Sequence, residues 1–325
     1  MDNKKIDIFY DLIDKAVMLM YNDLRIDYLE CFISIAKSFT TIQESDIDIN
    51  DLSLYDKRLS DKTKKALNEI YDKFSSYSFT SEEVRLATEL ILIKGFKHRN
   101  LMLDFVTPDT INYLFSYIIN SIVRYNKKVS HLDSLRILDT VLGTGNLLQA
   151  IINNAQMEIE GFGIEHDELL THLAIALNDL LDNKLIINYQ DALKPIDGLF
   201  DIIIGDFGES KDIYNIILER LDNLDDGYFI YLINNDFFNN ATEEFKTELI
   251  SCSTLIGLIV LPKNFVNKEH IGKSILIGKK EVLTDYHLGI IQMDEELNEK
   301  TINSAFNKID KLINKINKTE EEKNA

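Results

Sequence analysis

The sequence predicts an α/β protein in which a doubly wound, largely parallel sheet follows an all-helical N-terminal domain. Three observations predict it. As far as about residue 96, apolar residues recur at three- and four-residue spacing, as they do on the buried face of a helix. From about residue 133 this period gives way to short, nearly continuous apolar runs rich in β-branched residues, the pattern of strands buried on both faces. Helical segments such as NLLQAIINNAQ separate the early runs, and strand alternating with helix argues for parallel pairing. The implied division is a helical domain over residues 1–98, a sheet domain over 99–293 and a helical tail over 294–325.

In chain order, FYDLIDKAVMLMYNDLRIDYLECFISIAKSF is amphipathic and helical. In TSEEVRLATELILIKGF, Thr80 followed by Glu83 is a capping box, so a helix begins there. Nothing in this half suggests chemistry. It reads as a packing or dimerisation domain, whose partner would be a second copy of the chain or another protein. The runs LRILDT, EIEGFGI, KLIINY, FDIIIGD, GYFIYLI, TLIGLIVL and SILIGKK are seven expected strands. The tail, DEELNEKTINSAFNKIDKLINKINKTEEEKNA, is an amphipathic helix ending in charge.

Bulk properties narrow the function classes. The longest apolar runs, such as LIGLIVL, are far too short to span a bilayer, and no apolar stretch follows the basic start. The expectation is a cytoplasmic protein without a signal peptide or membrane contact. Cys31 and Cys252 sit in apolar contexts and read as reduced core residues. His131, His172, His270 and His287 show no ligand spacing with cysteine or acid, so no metal is expected. The net charge is −19: residues 1–100 hold 18 acids against 15 lysines and arginines, and the remainder 36 against 20. Duplex nucleic acid is bound largely by neutralising phosphates, so this composition argues against direct sequence-specific DNA binding.

The strongest local signal is LRILDTVLGTGNLLQAI, where a strand ends in Asp139, the turn carries Gly143 and Gly145, and a helix begins at about Asn146. Ligands of open α/β sheets sit beyond the carboxyl ends of the strands, where glycine admits close backbone approach and the helix start offers N–H groups. The third glycine of the dinucleotide fingerprint is replaced by Leu148, so the spacing alone does not name the ligand. A second strand ends in Glu165, an acid placed to accept hydrogen bonds from ribose hydroxyls, and a third leads to Asp191. Taken singly, Asp139 also fits a turn cap and Glu165 a solvated acid, but three acids at three successive strand ends are hard to attribute to solvent. His166, beside Glu165, reads as a surface or cofactor-rim histidine.

LDTVLGTGNLL resembles motif I of the class I S-adenosylmethionine-dependent methyltransferases. Its form is that of bacterial amino-methyltransferases of the N6-adenine DNA methylase type, the YtxK-like proteins of Bacillus in particular. The resemblance covers about residues 105–280. It implies a Rossmann-like doubly wound methyltransferase sheet of seven strands with the last antiparallel, and S-adenosyl-L-methionine as cofactor. FVTPDTINYLFSYII is similar to the segment preceding motif I, which points to Thr107 and Pro108 as contacts of the methionine moiety. Within motif I the matching positions are Asp139, Gly143, Thr144, Gly145 and Asn146. Glu165, with His166 at its side, matches the ribose acid, and Asp191 with Ala192 matches the position that holds the adenine amino group. LPKNFVNKEHIGKSILIGKK is similar to the segment that closes the sheet.

The acceptor end departs from the pattern. In these enzymes the fourth strand ends in Asn/Asp/Ser-Pro-Pro-aromatic, whose side-chain and backbone oxygens accept the two N–H bonds of an amine while the aromatic ring stacks on an extruded base. Here the tetrapeptide is Asp206-Phe207-Gly208-Glu209: both prolines are missing and an acid replaces the aromatic. Asp206 is the candidate that orients an acceptor amine, and Phe207, one position early, is the candidate platform. Three readings follow: an N-methyltransferase whose acceptor is not a DNA base, a cofactor-binding protein with little transferase activity, or an interaction scaffold. About 45 residues follow the last expected strand, so a target-recognition domain is not expected there and DNA is again disfavoured as the acceptor.

Overall fold

The structure is a computed structural model describing residues 3–44, 55–101, 103–208, 210–263, 272–283, 286–296 and 298–324. The chain opens with helices α1 (Asn3–Leu24), α2 (Tyr28–Glu44), α3 (Asp61–Ser75) and α4 (Ser81–His98). It continues through α5 (Asp109–Tyr125), α6 (Lys127–Ser130), β1 (Ser134–Asp139), α7 (Asn146–Asn153), β2 (Glu158–Glu165), α8 (Glu168–Leu181) and β3 (Ile186–Tyr189). Then follow β4 (Phe200–Asp206), α9 (Ile213–Leu221), β5 (Leu224–Asn234), α10 (Phe237–Asn240), α11 (Glu243–Cys252), β6 (Thr254–Val260), β7 (Lys273–Lys279), β8 (Gly289–Gln292) and α12 (Glu299–Asn324). No helix among the described residues is long and apolar enough to cross a membrane.

These elements form two compact units. One comprises Met1–Val106, Gly143–Asn153 and Asp167–Lys184; the other comprises Thr107–Leu142, Asn154–His166 and Leu185–Ala325. The first is helical. Phe9, Ile13 and Val17 of α1, Leu29 and Phe32 of α2, and Ile91 and Phe96 of α4 are inaccessible, and Leu173 and Leu177 of α8 join the same core. Phe74 and Phe79 meet Phe9 edge-on. The capping box opens α4 as the sequence implies: the Glu83 N–H donates to Thr80 Oγ1 and the Thr80 N–H to Glu83 Oε2.

The second unit holds the sheet, ordered β3-β2-β1-β4-β5-β7-β6-β8. Among the described residues it has eight strands, where seven are expected. The additional β8 lies parallel to β6 at the edge; its four residues leave only Ile291 buried, too short a run to stand out in sequence. The antiparallel strand is β7, seated between β5 and β6. On one face, Ile216 and Leu221 of α9 and Phe245 and Leu249 of α11 pack with Ile203, Phe229, Tyr231 and Leu276. Leu312 of α12 lies over Gly257 and Gly289, where a Cβ would come within 2.3 and 2.4 Å of it. Tyr117 of α5 stacks on Phe306 of α12 at 3.8 Å between ring centroids. Successive strands leave β1 in opposite directions, β2 to one side and β4 to the other. This switch point is where such sheets take ligands.

Candidate functional site

Within the helical unit, the turn beyond β1 is built on two glycines in left-handed conformation, Gly143 at φ +56° and Gly145 at φ +78°. A side chain at Gly143 would also press to 3.3 Å from the Phe105 carbonyl oxygen. Thr144 is buried, and its hydroxyl donates to that same carbonyl at 3.2 Å. Asn146 opens α7, placing the positive end of the helix dipole at the turn. Its side-chain amide is committed to α4: Oδ1 accepts from Arg85 Nη1 at 2.7 Å, and Nδ2 donates to Glu89 Oε2 at 2.9 Å.

Within the sheet unit, the carboxyl ends of β1, β2 and β4 each carry an acid: Asp139, Glu165 and Asp206. Asp139 is paired across the sheet with Gly163 and Ile204, which fixes its place beside the switch point. It is 1% exposed. Burial pushes its carboxyl up to about 7, with the Val141 N–H opposing and the charges of Asp206 and Glu165 adding to the rise. Glu165 is buried, and its Oε1 accepts the His166 N–H at 2.8 Å. The His166 imidazole lies 3.3 Å from the same oxygen but is 80% exposed, at the rim of the acid.

After β3, Asp191 is exposed and accepts the Leu193 N–H at 2.8 Å, while Ala192 turns into the core. The neighbouring Gln190 donates its backbone N–H to the Glu165 carbonyl. Its buried side-chain Nε2 donates to no protein acceptor among the described residues. A buried donor without a partner costs free energy, and a ligand acceptor at this strand end would relieve it.

Asp206 is nearly enclosed. Thr107 Oγ1 donates to Oδ2 at 2.9 Å, the Gly208 N–H to Oδ1 at 3.3 Å, and Lys273 Nζ lies 3.5 Å from Oδ1. Thr107 is held in turn by Asn112, whose Nδ2 donates to its carbonyl. The Pro108 carbonyl accepts the first N–H groups of α5, so the chain enters that helix in a fixed direction. One expectation for the acceptor turn changes here. Phe207 is not an exposed platform: it is 5% exposed, and its ring packs on Tyr231 at 5.2 Å in the core. Gly208 sits at φ +54°, which the proline of the family pattern cannot adopt. Glu209 lies outside the described residues, as does the segment 264–271 with His270.

The structure thus brings Asp139, Glu165, Asp206 and Thr107 to one edge of the sheet unit and sets the glycine turn within the helical unit. Gln190 and Lys273 complete the sheet edge and escaped the sequence reading. Lys273 had a signal: it begins the antiparallel strand, and an antiparallel strand starts where its parallel neighbours end. Gln190 had only its adjacency to Asp191.

Known proteins can be set beside this geometry. Residues 7–96 match the family model of the YtxK N-terminal helical domain. Over 188 residues, 58% of this chain and 53% of the other, the sequence is 30% identical to the uncharacterised protein YtxK of Bacillus subtilis (strain 168); the match spans about half of that relative's length. A candidate class I S-adenosylmethionine-dependent methyltransferase of Listeria monocytogenes superposes with a TM-score of 0.78 at 21% identity, covering 96% of this chain and 100% of that one. The methyltransferase subunit of a type I restriction-modification system from Streptococcus thermophilus superposes with a TM-score of 0.60 at 16% identity, covering 94% of this chain and 74% of the other. At such identities the superpositions establish the fold. The chain is a relative of YtxK that carries a YtxK-type helical domain followed by a sheet of the class I S-adenosylmethionine-dependent methyltransferase fold.

Proposed function

We propose that this chain is an S-adenosylmethionine-dependent N-methyltransferase that transfers a methyl group to an amine of an acceptor other than a base in duplex DNA. The observation that carries the reading is the set of buried or nearly buried carboxylates, Asp139, Glu165 and Asp206, at the carboxyl ends of the three strands around the switch point. Carboxylates gathered at one strand edge make an anionic environment, which suits a ligand bearing a sulfonium and an ammonium. The residues fit such a ligand in other respects. Within the helical unit, the turn of Gly143 and Gly145 is open to close approach; within the sheet unit, Glu165 would accept from ribose hydroxyls and Gln190 has an unmatched donor. The cofactor contributes an electrophilic methyl group on sulfur. Asp206 accepts an N–H of the acceptor amine and orients its lone pair, and Thr107 holds the carboxylate in place. An incoming amine competes with Lys273 for Oδ1.

A second reading has its own observation. Phe207 is buried and Gly208 is left-handed, so the turn that would grip the acceptor is reshaped; this favours a protein that binds the cofactor and transfers methyl groups weakly or not at all. Calorimetry with S-adenosylmethionine and a tritiated-methyl assay over cellular fractions separate the two. The transferase reading expects cofactor binding, labelled product, and loss of label in Asp206→Ala with cofactor affinity unchanged. Binding without label in any fraction supports the second reading, and no binding removes both.

A further inference from the structure

Arg85 lies on α4, outside every segment so far given chemistry, yet it is 0% exposed. Its guanidinium spreads over two carboxylates and one amide. Nε and Nη2 donate to the two oxygens of Glu82 at 2.9 and 2.7 Å, while Nη1 donates to Glu89 Oε2 at 3.2 Å and to Asn146 Oδ1 at 2.7 Å. Glu89 closes the circuit by accepting from Asn146 Nδ2 at 2.9 Å. At the far end of α7, Asn153 Nδ2 donates to Glu82 Oε2 at 3.0 Å. Thus the eight-residue helix that follows the glycine turn is fastened at both ends to one charged cluster on α4. In sequence, Glu82, Arg85 and Glu89 look like ordinary solvent-facing helix pairs at three- and four-residue spacing. In the fold they are something else, with Arg85 fully buried and both glutamates partly so: a desolvated charge network is costly unless every member is satisfied, and once satisfied it admits few alternative geometries.

We infer that Arg85 is a positioning residue for the cofactor turn, so that the N-terminal helical domain, through α4, sets the shape of the loop that receives the methionine end of the cofactor. The inference rests on the reading above that this turn receives a cofactor. Asn146 is the link. It directly follows Gly145, and both ends of its side-chain amide are held by Arg85 and Glu89, so the direction in which α7 presents its N-terminus follows α4. A lysine in place of Arg85 keeps the buried positive charge, but a point charge cannot pair Glu82 with two parallel bonds and reach Asn146 at once.

The test uses the full chain with Arg85→Lys, and Arg85→Met as the harsher variant. Hydrogen–deuterium exchange reports the turn without any ligand, and calorimetry with S-adenosylmethionine and with adenosine reports the site. The expected result for Arg85→Lys is exchange at residues 143–149 faster by about tenfold, with β1 as protected as in the parent chain. Affinity for S-adenosylmethionine falls by about tenfold, while that for adenosine, which lacks the methionine end, changes by less than about twofold. Unchanged exchange in the turn overturns the inference, and so does an equal loss of both ligands, since that would mark a general loss of structure. If the parent chain binds neither ligand, the cofactor reading falls, and the exchange comparison still decides whether Arg85 holds the turn.

Discussion

At the scale of single residues, Asp139 has the most distinctive chemistry. Its folded-state carboxyl titrates near 7 because it is buried, against 3.8 for the group in solution. Between about pH 4 and pH 7 the folded chain therefore keeps a proton that the unfolded chain has released, so this group's contribution to stability falls as pH rises and levels off above about 7. At about 1.4 kcal/mol per unit, the loss is on the order of 4 kcal/mol. Asp139→Asn removes the titration, so its denaturation midpoint relative to the parent chain should rise between about pH 4 and pH 8. An identical offset at both ends of that range would rule out Asp139 as the source. The same shift predicts that a cationic cofactor binds more tightly at about pH 8 than at about pH 6, and that binding at about pH 6 releases a proton. Three acids of the site were legible because each ends an apolar run. Arg85 and Gln190 were not, because their roles depend on burial, which no local period records; Lys273 had only its place at the start of the antiparallel strand.

At the scale of elements, the two glycines under α12 show how a neighbouring element shapes a strand's composition. Leu312 projects over Gly257 of β6 and Gly289 of β8, and any side chain at either glycine would collide with it. The tail helix is thereby keyed into the sheet, with Ile309, Ile313 and Ile316 buried beside Leu312 and with Ser121 of α5 donating to Asp310 at 2.5 Å. Leu312→Ala leaves a cavity over two glycines that cannot fill it, so a loss of about 3 kcal/mol is expected, read as a lower midpoint in denaturant with an unchanged slope. A loss below about 1 kcal/mol would mean that the helix closes the gap by shifting. The tail was visible in the sequence as an amphipathic helix, because its period is regular. Its seat was not, since the glycines that receive it look like ordinary strand interruptions. Likewise, the periodicity of NLLQAIINNAQ and ELLTHLAIALNDLLDN identifies helices, but it does not say that α7 and α8 pack with the N-terminal helices in one compact unit.

At the scale of the whole molecule, the charge decides which acceptors are approachable. Excess acid is concentrated after residue 100, where 36 acids face 20 lysines and arginines, and this stretch contains the whole sheet. Cations of the same stretch do not offset it: Lys273 of β7 lies beside Asp206, Arg136 of β1 beside Glu160 and Arg220 of α9 beside Glu219. A duplex is held chiefly by phosphate neutralisation, and each such contact steepens the dependence on salt. An acidic surface instead raises the free energy of approach, and the more so as salt is withdrawn and screening weakens. Fluorescence anisotropy with a labelled duplex should therefore show no saturable binding up to about 100 μM protein at about 50 mM salt, a condition that favours non-specific complexes of DNA-binding proteins. Low-micromolar binding that weakens steeply as salt is raised would sink this expectation and reveal a basic surface that the net charge conceals. A cationic cofactor meets the opposite field. Association of S-adenosylmethionine should therefore be fastest at low salt and slow as salt is raised, which stopped-flow measurement over a salt series checks; a rate that rises with salt would contradict it.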